Sequence, residues 1–130
     1  MSISQGTGAT ATALQDGNNN YGYISQYGSY YGTETNVANT ATIASIGDYN
    51  NATITQGGYY NSSESGGSVA SIDQLGDNNV GSIYQYAANT TAEITQQGDM
   101  NTAYVQQNVG GAVVEIAMMG NSNYANIMQN

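Results

Sequence analysis

The groups that could do chemistry in this 130-residue chain are amides, hydroxyls and nine carboxylates; it has no Lys, Arg, His or Cys. A serine nucleophile would therefore find no His or Lys to take its proton. Two carboxylates alone can hydrolyse a glycosidic bond, but here they fall on outward positions of a repeating surface with no evident pocket. Phosphates are held mainly by Lys and Arg, so no nucleic-acid partner is expected. A net charge of -9 is repelled by an anionic membrane. No apolar run approaches the roughly 20 residues of a spanning helix, so no membrane insertion is expected. The chain is read as non-enzymatic and without a cofactor or a specific metal. What remains is the amide, which is donor and acceptor at once. Identical amides stacked along a fibre axis can satisfy one another.

The amides are regularly placed. Gly recurs at Gly17, Gly47, Gly76, Gly98 and Gly120, and three residues after each comes Asn20, Asn50, Asn79, Asn101 and Asn123. Two residues before the glycine stands Gln15, Gln74 or Gln96, with Ser45 and Met118 in the second and fifth units. Six residues after the asparagine comes Gln26, Gln56, Gln85, Gln107 and Gln129. Between these marks the chain alternates with period two, which is the strand signature. Gly followed by Asp or Asn marks a turn that visits positive φ. Each unit is thus strand–turn–strand.

The same parity assigns the interior. Ile43, Ile72, Ile94 and Ile116 form one apolar ladder, and Ile24, Ile54, Ile83, Val105 and Ile127 the facing one. The Gln and Asn columns share that parity and point inward, where an unpaired amide is costly. Bonding to the identical amide above and below is expected to satisfy them. One unit cannot bury its apolar face alone, so five stack as rungs of a narrow two-layered solenoid about 24 Å tall. The fold expected is all-β, a β-solenoid of five β-arch repeats at 9–26, 39–56, 68–85, 90–107 and 112–129. Residues 1–8 are a short leader. Such a solenoid has open strand edges at both ends, with no cap visible, and is expected to stack head-to-tail into a cross-β fibre.

Other signals are weaker. The Tyr-rich stretches Tyr27–Ala38 and Gly57–Gly67, holding Tyr30-Tyr31 and Tyr59-Tyr60, are side loops between units. Tyr21, Tyr23, Tyr49, Tyr84, Tyr104 and Tyr124 point outward, as solvated β-formers or lateral contacts. Gly-Asp-x-Asn turns at Gly47, Gly76 and Gly98 offer oxygen ligands for calcium, without the spacing of known calcium loops. Thr10, Thr12, Thr40 and Thr42 begin an array suited to ice, which later units break. A soluble solenoid binding calcium or ice is the alternative function. Asp48, Asp77 and Asp99 share one turn position, and like charges about 4.8 Å apart in water repel by roughly 0.9 kcal/mol. Assembly is expected to quicken in acid or salt.

The frame resembles the curlin repeat over residues 9–129, on the recurring Gln, Gly, Asn, Ala and final Gln, with Ser45 and Met118 in place of the first Gln and Gly22 and Gly81 in place of the Ala. The opening Ser of that repeat survives only as Ser68, with Ala9, Asn39, Thr90 and Ala112 elsewhere. The family's Gly-rich N-terminal secretion segment is missing, and Met1-Ser2-Ile3-Ser4 does not read as a signal peptide. The resemblance implies an extracellular, cell-surface amyloid fibre that builds biofilm matrix and mediates adhesion. It implies as partners the chain itself, a nucleator subunit and an outer-membrane secretion channel. It also implies that terminal-repeat amides, here Gln15, Asn20, Asn123 and Gln129, drive polymerisation.

Overall fold

The structure, a computed structural model, describes residues 1–6, 8–27, 38–57 and 66–130. Its strands are β1 (Ser2–Gln5), β2 (Thr10–Asp16), β3 (Tyr21–Gln26), β4 (Thr40–Ile46), β5 (Asn51–Gln56), β6 (Val69–Leu75), β7 (Val80–Gln85), β8 (Thr91–Gln97), β9 (Thr102–Gln107), β10 (Val113–Met119) and β11 (Tyr124–Gln129). They form two parallel sheets. One, here the odd sheet, runs β1-β3-β5-β7-β9-β11; the other, the even sheet, runs β2-β4-β6-β8-β10. Each β-arch contributes one strand to each sheet, which makes the chain an all-β solenoid.

Register is invariant from rung to rung. Ile24 faces Ile54, Ile54 faces Ile83 and Ile83 faces Val105 in the odd sheet. Ile43, Ile72, Ile94 and Ile116 stack likewise in the even sheet. A one-residue slip would turn each of these columns to solvent, so the apolar period locks the register. Ile24, Ile43, Ile54, Ile72, Ile83, Ile94 and Val105 are fully buried, with Ala41, Ala52, Ala70, Ala92 and Ala103 closing the space between the sheets. Ile116 is buried in the last rung, and Ile127 packs against the core while partly exposed.

The turns explain the glycine column. Gly76 has φ +120°, and a Cβ there would fall on the carbonyl of Gly98 in the next rung. Gly17, Gly47 and Gly98 are placed alike. Gly120 keeps the positive φ, but the nearest atom to a Cβ is Asn123 Nδ2 at 3.7 Å, because no rung lies beyond it. The third turn residue also sits in the left-handed region, at Asn19, Tyr49, Asn78, Met100 and Ser122. Asn accepts that conformation readily; Tyr and Met do so at a cost of about 1–2 kcal/mol.

The first strand lies ahead of the first unit. Ser2–Gln5 pairs with β3, setting Ile3 opposite Ile24 and Gln5 opposite Gln26. Most of the stretches Tyr27–Ala38 and Gly57–Gly67, with Tyr30, Tyr31, Tyr59 and Tyr60, lies outside the described residues.

Candidate functional site: two amide ladders and the open rungs

The odd-sheet glutamines form one unbroken ladder. Gln5 donates Nε2 to Oε1 of Gln26 at 3.3 Å, Gln26 to Gln56 at 2.8 Å and Gln56 to Gln85 at 2.8 Å. Gln85 continues to Gln107 at 3.0 Å, and Gln107 to Gln129 at 3.1 Å. Each amide has a second hydrogen, and it goes to the carbonyl that opens the facing strand: Thr10, Thr40, Val69 and Thr91 for Gln26, Gln56, Gln85 and Gln107. Oxygen and both hydrogens are therefore satisfied in a buried site, where an unmade bond would cost about 1–3 kcal/mol. All these bonds point the same way, so the ladder is polar.

The even-sheet column is interrupted. Gln74 donates to Gln96 at 3.0 Å, and Gln96 to the Val80 carbonyl at 3.0 Å. Below Gln74 stands Ser45, whose short hydroxyl donates upward to Gln74 Oε1 at 3.0 Å. Its partner below, Gln15, is left with a buried Nε2 that meets no acceptor. Above Gln96 stands Met118, buried and without an amide.

The asparagines form the amide-to-amide column expected of them only in part. Their side chain is one methylene shorter than that of Gln and reaches the turn backbone instead. Nδ2 of Asn20, Asn50, Asn79 and Asn101 donates to the carbonyls of Gly47, Gly76, Gly98 and Gly120 in the next rung, at 2.6–2.7 Å. Their Oδ1 atoms accept the backbone N–H of Asn50, Asn79, Asn101 and Asn123 at 2.9–3.0 Å. Only at Asn101 and Asn123 does Nδ2 also reach the Oδ1 of the asparagine one rung back.

Asp48, Asp77 and Asp99 behave alike. Each carboxylate accepts the N–H of the preceding rung's turn, at Asn18, Asp48 and Asp77, over 2.7–2.9 Å. Asn121 does the same for Asp99. Charge-assisted bonds of this kind are the stronger ones, so these side chains tie rungs together. Among the described residues no group of three or more His, Cys, Asp or Glu is placed to hold a metal ion.

A third polar column was not singled out from the sequence. Asn39, Ser68 and Thr90 are buried at the corner where each unit begins. Asn39 Oδ1 accepts Ser68 N–H at 3.0 Å, and Thr90 Oγ1 bonds Ser68 Oγ at 3.0 Å. The signal was present in the frame, since all three occupy the opening position of their units.

The outer faces differ in charge. No strand of the odd sheet carries an acidic residue, whereas Asp16, Asp73, Glu93 and Glu115 lie on the even sheet. The odd face instead carries Tyr21, Tyr23, Tyr84, Tyr104 and Tyr124. Tyr84 and Tyr104 have ring centroids 5.4 Å apart, and Tyr84 and Tyr86 6.3 Å. Partial burial, followed by the neighbouring phenols, pushes Tyr86 and Tyr104 above the ordinary tyrosine range.

At the last rung an open cleft between the sheets is lined by Ile116, Met118, Asn123, Tyr124 and Ala125. The outer edges of β10 and β11 face no further strand among the described residues. No helix among those residues is long and apolar enough to cross a membrane.

No curated protein matches the chain. Residues 68–98 match the family model of the curlin associated repeat. That stretch covers the third rung and the first strand of the fourth, which stack on the other rungs in one register, so this part of the chain is similar to the curlin associated repeat.

Proposed function

We propose that this chain is the structural subunit of an extracellular, curli-type amyloid fibre that assembles head-to-tail by continuing its own rungs. The curlin repeat supports a curli-type structural subunit in general. The observation that carries the finer reading is the polar, unbroken glutamine ladder of the odd sheet. Each rung offers the next the same donor, the same register and the same apolar column, so a rung from a second copy meets the surface an internal rung meets. Strand edges with unpaired backbone groups are templates for such addition. The contact is heterologous and does not close, so it yields a filament.

In that fibre Gln129 donates across the subunit junction, and Asn123 reaches the first turn of the next copy as Asn20 reaches the second. Every added subunit brings nine negative charges, which salt screens. The fibre's role is mechanical: biofilm matrix and adhesion at the cell surface. A nucleator of the same repeat type and an outer-membrane channel are its partners. The neutral, tyrosine-bearing odd face is the one suited to contacts with surfaces and other filaments.

The test is electron microscopy with X-ray fibre diffraction on purified protein left quiescent at mildly acid pH. Unbranched filaments with a meridional reflection near 4.8 Å are expected, about one strand spacing. A folded, monodisperse monomer that gives neither would contradict the proposal and favour a soluble solenoid.

A further inference from the structure

We infer that Ser2–Gln5 is a built-in stand-in for the last strand of a second copy. It fills the odd-sheet slot that an incoming β11 takes in the fibre, and it must be displaced for growth at that end. The inference rests on the self-assembly reading above.

The register is the first reason. Ile3 faces Ile24 and Gln5 faces Gln26, the offset with which Ile24 faces Ile54 and Gln26 faces Gln56. The sequence Ile3-Ser4-Gln5 repeats the pattern Ile127-Met128-Gln129. Gln5 places its Nε2 on Gln26 Oε1, the acceptor at which the ladder's polarity would place Gln129 of a second copy.

Asymmetry at this end is the second reason. Beside β3 lies β1, and Gly22, Ile24 and Gln26 are buried. Beside β2, on the same side, the even sheet has no strand among the described residues. Ala11, Ala13 and Gln15 accordingly stay partly exposed, although their counterparts in β4, β6 and β8 are buried. The first rung is covered on one sheet and open on the other.

These two facts conflict with simple stacking. The last rung of a second copy carries β10 and β11 together. With β1 in place, β11 can add only outside it, and β10 then stops one strand spacing short of β2. Both sheets continue only if β1 leaves and β11 takes its place. The short strand therefore shields one half of the end from edge-to-edge pairing and gives way to a partner that covers both halves.

The axial rise per subunit, measured on wild-type fibres by cryo-electron microscopy, separates the two arrangements. Displacement leaves five rungs per subunit and a rise of about 24 Å; retention of β1 adds a sixth strand to the odd sheet and gives about 29 Å. We expect the shorter rise, fast amide exchange at Ser2–Gln5 within mature fibres, and seeded elongation several-fold faster for Ile3→Pro. A rise near 29 Å, protected Ser2–Gln5 amides, or an Ile3→Pro rate equal to or below wild type would each overturn the inference while leaving self-assembly intact. Fibres from Ile3→Pro alone would support the gate in its strongest form. No fibres from either chain would overturn the assembly reading and this inference with it.

Discussion

The two sheets of this solenoid carry glutamine columns of the same origin and different fates. In the odd sheet six glutamines hand a hydrogen bond from rung to rung without a break. In the even sheet Ser45 is too short to reach down and Met118 has nothing to offer, so one donor, Gln15 Nε2, is buried and unused. Both sheets keep their apolar ladders and their register. Apolar burial thus suffices to build the rungs, and the amide column adds direction and fidelity. The odd sheet is the one in which a second copy can be read as one more rung.

The sharpest way to break this arrangement is at the turn. Gly76→Ala drives a Cβ into the Gly98 carbonyl and should cost about 3 kcal/mol or more, abolishing both fold and fibre. Gly120→Ala meets no such carbonyl within one chain, but a docked copy would bring its Gly17 carbonyl there. It should leave β-structure by circular dichroism and stop seeded elongation. Normal elongation of Gly120→Ala would mean that the last rung is not the docking face.

Next in size is the ladder itself. Gln56→Leu leaves Gln26 without its acceptor and Gln85 without its donor. It should cost about 3 kcal/mol of folding stability, read as a lowered denaturant midpoint of the chain. Gln15→Leu removes a donor that bonds nothing and should leave that midpoint unchanged or raise it. Equal penalties at the two positions would erase the distinction between the sheets. Ser45→Gln sharpens it from the other side: it gives Gln15 an acceptor and should stabilise the fold by about 1 kcal/mol.

A smaller effect is expected at alkaline pH. Tyr86 and Tyr104 hold their protons more tightly when folded than at the ordinary value of 10.0. Above that value the folded state binds more protons than the unfolded one. The stabilisation they carry is therefore intact below about pH 10 and is lost as pH rises through the raised folded values. Fibre dissolution should begin there, with a shallower slope in Tyr86→Phe; an unchanged slope would remove the phenols from the account. Smallest is Met100→Asn, which relieves a left-handed Met and should stabilise by about 0.5–1 kcal/mol, read from the same denaturant midpoint.

Much of this was legible in the sequence, because repetition turns weak signals into a frame. Ile43, Ile72 and Ile94 at one offset and Ile54 and Ile83 at the other determine two facing sheets, and the structure has them. The partners of the polar columns were less legible. Gln and Asn read alike as amides, yet the shorter side chain brings Asn20, Asn50, Asn79 and Asn101 onto the next turn's carbonyl, with amide-to-amide bonds only among the last three asparagines. The left-handed third turn residue could be read where it is Asn19 or Asn78, not where it is Tyr49 or Met100. Ser2–Gln5 escaped notice because it carries only the trailing half of the frame, without the Gly and Asn that mark a unit.

The central claim is that the ladder contacts lie within one chain and that the fibre only prolongs them. Solid-state NMR on fibres grown from labelled chain diluted into unlabelled chain tests it most directly. Cross-peaks between neighbouring rungs, such as Gln56 to Gln85 and Ile54 to Ile83, should keep their intensity per labelled chain on dilution. Intensities that fall in proportion to the labelled fraction would mean that each strand stacks on its own copy in another molecule, and the solenoid account would be wrong.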